Sequence, residues 1–295
     1  MKRKHIFRAN VGSEKINRSL AGNSVVFLFL LVIAVFMSAP FVFSIVQAFK
    51  PIEELFVFPP KFFVRNPTLK NFRQIFVATD SLWVPFERYL FNSVFTTLVG
   101  TAAYVVIASL AALPLAKMKF PFDSALNKVI ELALLFTGPV IAVAQFVIIA
   151  KGQMLNTYWA MILPALASPF GVFLMRQFMC DEKMIPSAML ESARIDGAGW
   201  FRIYWSIVMP LVKPAWLTLI IFTFQSLWGG IGSRFIFTEA MKPLPTVLSQ
   251  ISSSGIARAG VGSAVAVLMM IPPIVTFIIS QSNVMETMSH AGIKG

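Results

Sequence analysis

The chain has 295 residues, 57% hydrophobic and only 13% charged, with 29 phenylalanines and a mean hydropathy of +0.76. Ordinary globular domains carry about 25% charged residues, so this composition excludes a soluble fold and identifies an integral membrane protein. The net charge of +12 excludes little by itself, but the basic residues flank apolar runs and no basic helix or base-stacking platform accompanies them, so we expect no nucleic-acid partner. Cys180 is the single cysteine, which rules out a disulfide framework and a cysteine-rich metal site. His5 and His290 lie in opposite tails, leaving no histidine for a nucleophile–base–orienter triad. We therefore expect no enzyme active site and no cofactor bound by this chain.

Residues 1–23 form a tail bearing Lys2, Arg3, Lys4, Arg8, Lys15 and Arg18. The apolar run behind it, 24–49, exceeds the roughly 7 to 15 residues of a signal-peptide core, so it reads as an uncleaved first span. Residues 50–90 form a polar segment outside the membrane, and five more runs follow at 91–116, 126–150, 157–179, 215–235 and 261–281. Each meets the need for about 20 mostly apolar residues, which predicts an all-α protein with six transmembrane helices. Residues 91–281 thus make a five-helix core, and 282–295 a second tail. Pro40, Pro114, Pro139, Pro164, Pro272 and Pro273 fall inside runs and predict kinks, tolerated where neighbouring groups satisfy the freed carbonyls. Fifteen of the 25 Lys and Arg then lie on the side of the N-terminal tail, which predicts that both termini are cytoplasmic.

The cores of the spans hold no Asp, Glu, Lys or Arg; Glu131 and Arg176 sit near predicted ends. Proton relays and ion-coupled carriers place ionisable groups inside the membrane, so a transport protein of this kind would draw its energy from elsewhere. The polar residues within spans are neutral: Asn92, Thr96, Thr97, Thr137, Gln145, Ser168, Thr223, Gln225 and Ser226. Interhelical hydrogen bonding accounts for most of them. The alternative is a path for a hydroxyl-rich solute, where amides meet hydroxyls and aromatic faces such as Trp228 or Tyr104 cover a sugar ring. Gln145, Gln225 and Trp228 are the candidates for that path.

Between the fourth and fifth spans, Arg176 to Pro214 is too polar to cross a membrane. Pro186 suits the start of a helix, which predicts about three turns over Ser187 to Asp196. Gly197 permits a bend that a Cβ would resist. Trp200, Ile203, Tyr204, Ile207 and Val208 then fall at i, i+3, i+4, i+7 and i+8, a single apolar stripe that should lie on the membrane surface or against the ends of the spans. By pattern alone this is an amphipathic connector, and a six-span receptor or scaffold that recruits a cytoplasmic protein through residues 187–210 would fit it.

The segment ESARIDGAGWFRIYWSIVMPLVKPAW resembles the EAA loop of the membrane subunits of ATP-binding-cassette importers. Glu191, Ser192 and Ala193 match its first triplet, with Ser for the middle Ala; Asp196, Gly197 and Ala198 match its centre, and Ile207 and Pro210 its end. The likeness extends along almost the whole chain and narrows to carbohydrate importers of the MalG type. FKPIEELFVFPPKFFVRNPTLKNF is similar to that family's outer segment, with Lys50, Pro51, Glu54, Pro59, Pro60, Thr68, Leu69 and Asn71 in order. Asn92 and Ser93, LAKMKFPF at 115–122, NTYWAMILP at 156–164 and FLMRQFM at 173–179 are further landmarks. KPLPTVLSQISSSGIARAG resembles a branch found with complex oligosaccharide uptake systems. One departure stands out: the family commonly follows the fifth-span Trp with Asn and an acidic residue, whereas Trp228 is followed by Gly229 and Gly230, expected to give flexibility there.

The resemblance implies a type I importer permease fold (MetI-like) in the bacterial cytoplasmic (inner) membrane. It implies partners: a second homologous permease, two cytoplasmic ABC ATPases that bind ATP and magnesium, and an extracytoplasmic solute-binding protein, together moving a carbohydrate. It also assigns coupling to the ATPase to Ala188, Glu191, Ser192, Ala193, Asp196, Gly197 and Ala198, with Glu191 facing a basic residue of the ATPase.

Overall fold

The computed structural model describes residues 20–55, 57–59, 61–80, 83–136, 138–252 and 259–292. Pro60, Thr137, Arg258, Lys294, His5 and the basic residues of the N-terminal tail lie outside the described residues, as does the side chain of His290. The regular elements among the described residues are helical. They are α1 (Leu20–Ala48), α2 (Ile52–Leu55), α3 (Lys70–Asp80), α4 (Phe86–Lys117), α5 (Asp123–Ala133), α6 (Gly138–Lys151), α7 (Tyr158–Leu166), α8 (Pro169–Cys180), α9 (Ser187–Ile195), α10 (Trp200–Ile203), α11 (Met209–Leu211), α12 (Lys213–Trp228), α13 (Leu244–Ser252) and α14 (Ala259–Gly292).

The chain divides between Ser44 and Ile45 into two compact units. In the first, α1 exposes apolar side chains on all sides, from Val25 through Phe43. A helix apolar all round needs hydrocarbon or protein about it. In the second unit α4 packs against α7, α8 and α12, and α12 against α14. Ala108 and Ala112 on α4 are fully buried, and such small residues let neighbouring helices approach closely.

Four helices are long and apolar enough to cross a membrane alone, and two bent pairs, α5 with α6 and α7 with α8, raise the number to six if each pair is one crossing. The continuous runs expected at 126–150 and 157–179 are therefore each split. The splits precede Gly138–Pro139 and Pro169, and proline disfavours helical geometry in the residue before it and donates no hydrogen bond. α7 and α8 meet at 41°. The Tyr104 hydroxyl occupies that break, donating to the Ser168 carbonyl at 2.9 Å and accepting the Gly171 N–H at 2.6 Å. Ser168 makes no side-chain cap at the start of α8, so Tyr104 serves as a cap from another helix.

α14 continues through Pro272 and Pro273. Pro273 removes the donor that would have met the Met269 carbonyl four residues earlier. The indole Nε1 of Trp228 supplies it instead, at 3.1 Å. The Gly229–Gly230 pair is a helix stop, not a flexible joint: Gly230 sits at φ +78°, and the N–H groups of Gly230 and Ile231 return to the carbonyls of Leu227 and Ser226.

The segment between α1 and α4 is organised by its own polar residues. Asn71 is buried and donates to the carbonyls of Ala48 and Lys50 at 2.8 Å each, the Lys50 ammonium donates to the Lys61 carbonyl, and Glu54 accepts the N–H groups of Arg65 and Asn66. Those backbone donors hold the Glu54 carboxyl below its ordinary value, the Arg65 N–H foremost. Above α4, buried Asn92 donates to the carbonyls of Ala240 and Lys242 and accepts from Tyr158, and Ser93 accepts the Leu244 N–H.

Trp228→Phe should leave the Met269 carbonyl without a partner in a site only 4% exposed. The expected cost is about 1 to 3 kcal/mol, read as a lower midpoint of thermal unfolding in detergent; an unchanged midpoint would show that this bond does not hold α12 to α14.

Candidate functional site

The charged connector between α8 and α12 begins with a turn in which Met184 and Ile185 donate to the Asp181 carbonyl. α9 follows, with Pro186 at its cap position and therefore no capping side chain of its own. Glu182 does that work. Its Oε2 accepts the Ser187 N–H at 2.8 Å, and its Oε1 accepts both the Ser187 hydroxyl at 2.6 Å and the Lys117 ammonium at 2.9 Å. A carboxylate at the positive end of a helix is favourably placed as well as hydrogen-bonded. Lys117 closes α4 and also donates to the Ile185 carbonyl at 2.8 Å.

Along α9 only Leu190 is buried. Ala188, Glu191, Ser192 and Asp196 are exposed and Ala193 is half-buried. Glu191 makes no hydrogen bond or ion pair with the described residues, so its carboxylate is available to a partner. The helix ends in a Schellman motif: the Ala198 N–H returns to the Ala193 carbonyl at 2.9 Å and the Gly197 N–H to that of Arg194 at 3.0 Å, with Gly197 at φ +81°. Arg194 lies over the Trp200 ring at 5.1 Å, spanning the bend. The apolar stripe turns inward: Ile203, Tyr204 and Val208 are buried among α4, α8 and α12, and Trp200 and Ile207 pack against them. Of the two placements the stripe allowed, the structure takes the one against the ends of the spans.

Tyr204–Val208 is a π-helical turn immediately ahead of Pro210, and such bulges recur at functional sites. Within it the Tyr204 hydroxyl meets that of Ser109 on α4 at 2.6 Å. A polar cleft of about 360 Å³ lies between the end of α4 and α9, lined by Lys117, Lys119, Glu191 and Arg194 among others.

The three solute-path candidates lie on two helices and differ in exposure. Gln145 is half-buried on α6 and Gln225 exposed on α12, while Trp228 is buried, stacked near Phe224 and committed to Met269. None of them lines the apolar groove of about 720 Å³ between α4, α12 and α14. No group of three or more His, Cys, Asp or Glu that could hold a metal ion occurs among the described residues. Sequence reasoning missed the roles of Glu182, Lys117 and Ser109. The one local signal was a glutamate five residues ahead of a helix whose cap is proline.

The chain belongs to the family of binding-protein-dependent transport system inner membrane components, whose model matches residues 104–290, from the middle of α4 to the end of α14. It is 30% identical over 287 residues to the polygalacturonan/rhamnogalacturonan transport system permease protein YtcP of Bacillus subtilis, covering 90% of this chain and 96% of that one. It is 31% identical over 201 residues to the sn-glycerol-3-phosphate transport system permease protein UgpE of Yersinia enterocolitica, covering 67% and 70%. Among solved structures, a bacterial ABC transporter involved in the import of the acidic polysaccharide alginate aligns with a TM-score of 0.76 at 19% identity, covering 90% of this chain and 98% of that one. The fold is that of a type I, MetI-like importer permease.

Two predictions follow from the geometry of α9. A Cβ at Gly197 would meet nothing within 4 Å, so substitution there acts through the backbone alone. Gly197→Val should cost about 1 to 2 kcal/mol, and Gly197→Asn less, read as faster hydrogen exchange of the Ala198 amide with the fold retained; equal exchange in all three proteins would contradict the left-handed cap. Second, the Glu182 carboxyl is pulled from its ordinary 4.5 to about 2 by the Ser187 hydroxyl first and Lys117 next. Its folded value being depressed, its contribution to holding α9 is complete above about pH 4.5 and is lost as pH falls toward 2. Carboxyl NMR should show Glu182 titrating well below the other glutamates, and Ser187→Ala should move it back up; an ordinary titration would exclude the clamp.

Proposed function

We propose that this chain is the permease subunit of an importer that carries a carbohydrate, an oligosaccharide, across the bacterial cytoplasmic membrane. Both termini are cytoplasmic, and the path is shared with a second, homologous permease. Two cytoplasmic ABC ATPases bind and hydrolyse ATP with magnesium; this chain is a non-catalytic subunit. A solute-binding protein delivers the sugar from outside, in keeping with the binding-protein-dependent family.

The observation that carries the coupling reading is the unpaired, exposed Glu191 on a helix whose two ends are both fixed, by Glu182 at the start and the Gly197 cap at the end. Ser187–Ile195 is thus presented as a stiff projection, the form a docking element needs if it is to transmit displacement rather than absorb it. Glu191 meets a basic residue of the ATPase, with Ala188, Ser192, Ala193, Asp196 and Ala198 around it. Closure of the ATPases on ATP displaces α9, and the buried stripe passes that displacement to the spans. The substrate class is supported by coverage: the likeness to the polygalacturonan/rhamnogalacturonan permease spans nearly both chains, that to the glycerol-phosphate permease about two thirds of each.

Glu191→Ala should reduce sugar uptake by about ten-fold or more in reconstituted importer while leaving the chain inserted and folded, a loss on the scale of one desolvated charge-assisted contact at an interface. Uptake equal to wild type would exclude the coupling role. A wild-type complex with no ATPase activity stimulated by loaded binding protein would favour the other reading, a scaffold that recruits a cytoplasmic protein through residues 187–210.

A further inference from the structure

Two of the polar attachments between the connector and the membrane core end on the same helix, α4. At the start of α9, Glu182 joins Ser187 to Lys117, the last residue of α4. Beyond the bend, Tyr204 joins Ser109, two turns earlier on α4. The Lys117 side chain is 6% exposed whereas that of Glu182 is 63% exposed. An ion pair this open adds little to stability. What it supplies is direction: bonds at 2.6 to 2.9 Å on both carboxylate oxygens fix position and rotation together, and the Lys117 bond to the Ile185 carbonyl holds the turn leading into α9. α9 has little else to hold its start, since its one buried side chain is Leu190.

We propose that Lys117 and Glu182 are positioning residues that lock the start of α9 to the inner end of α4, so that displacement of the coupling helix enters the membrane through α4. This rests on the coupling role of α9 argued above. α4 is the helix against which α7, α8 and α12 all pack, and its Tyr104 caps the broken crossing at Ser168 and Gly171. α4 is one helix from Phe86 to Lys117, continuing through Pro114, so a push delivered to its end reaches α7, α8 and α12 directly. Removing the lock leaves the Glu191 side chain itself unchanged but lets α9 swing about Pro186.

The test uses the complete importer in proteoliposomes, measuring solute taken up per ATP hydrolysed. Lys117→Met and Glu182→Ala should lower that ratio about five-fold or more with ATPase activity within about two-fold of wild type, and Lys117→Arg, which can reach both Glu182 and the Ile185 carbonyl, should restore it. A wild-type ratio in both variants overturns the proposal. So does a parallel fall of uptake and ATPase with loss of the assembled complex in both variants and in the milder Ser187→Ala, since that marks a purely structural pair. Spin labels at Met118→Cys and Ser192→Cys in a Cys180→Ser background give a second readout in the isolated chain. One narrow distance, broadened by Lys117→Met, supports the lock; identical distributions overturn it. If the wild-type importer shows no coupled uptake, the functional reading fails, and the label distances still decide the lock.

Discussion

Hydrocarbon offers no hydrogen bonds, so a helix that breaks or carries proline inside a membrane must find partners for its freed backbone groups within the protein. This constraint explains where the structure spends its buried polar side chains. Tyr104 fills the gap between α7 and α8, Trp228 replaces the donor that Pro273 lacks, and Asn92 collects two carbonyls of the segment between α12 and α13. Each is a helix side chain completing backbone elsewhere in the chain, which ties helices and loops together. With those positions fixed, movement of the core is movement of packed helices, and it has to be delivered from a surface the membrane does not constrain.

We propose the charged connector as that surface. Its ionisable groups are concentrated on and beside α9, where water and a partner protein can stabilise them. Inside the connector the division of labour is sharp: Ile203, Tyr204 and Val208 are buried in the core, while Ala188, Glu191, Ser192 and Asp196 face outward. The left-handed Gly197 fixes the angle between the two parts, because the Schellman bonds and the Arg194–Trp200 contact set it from both sides. The family description makes such a chain one component of a binding-protein-dependent transport system, and the proposed function uses this exposed, rigid feature as a point of contact with another component.

Apolar run length alone made the crossings legible, and the bend at Gly197 and the stripe from Trp200 to Val208 were legible from residue chemistry and helical spacing. What the sequence hid was tertiary. Proline inside an apolar run reads the same whether the helix continues, as at Pro272 and Pro273, or breaks, as before Pro139 and Pro169; the outcome depends on neighbouring helices. Trp228 looked suited to a sugar ring, yet its indole completes α14. Gly229 and Gly230 read as flexible, yet they close α12 with defined bonds. Lys117 and Glu182 are separated by 65 positions, so no local pattern could pair them.

The central claim is that α9 is where an ATPase takes hold of this chain. Ala188→Cys in a Cys180→Ser background, carried into the assembled importer and treated with a short bifunctional crosslinker, tests it directly, since Ala188 is exposed on α9 one turn from Glu191. The account predicts a product with the ATPase subunit whose yield changes when ATP is added. A product with the solute-binding protein, or none with the ATPase, would contradict it.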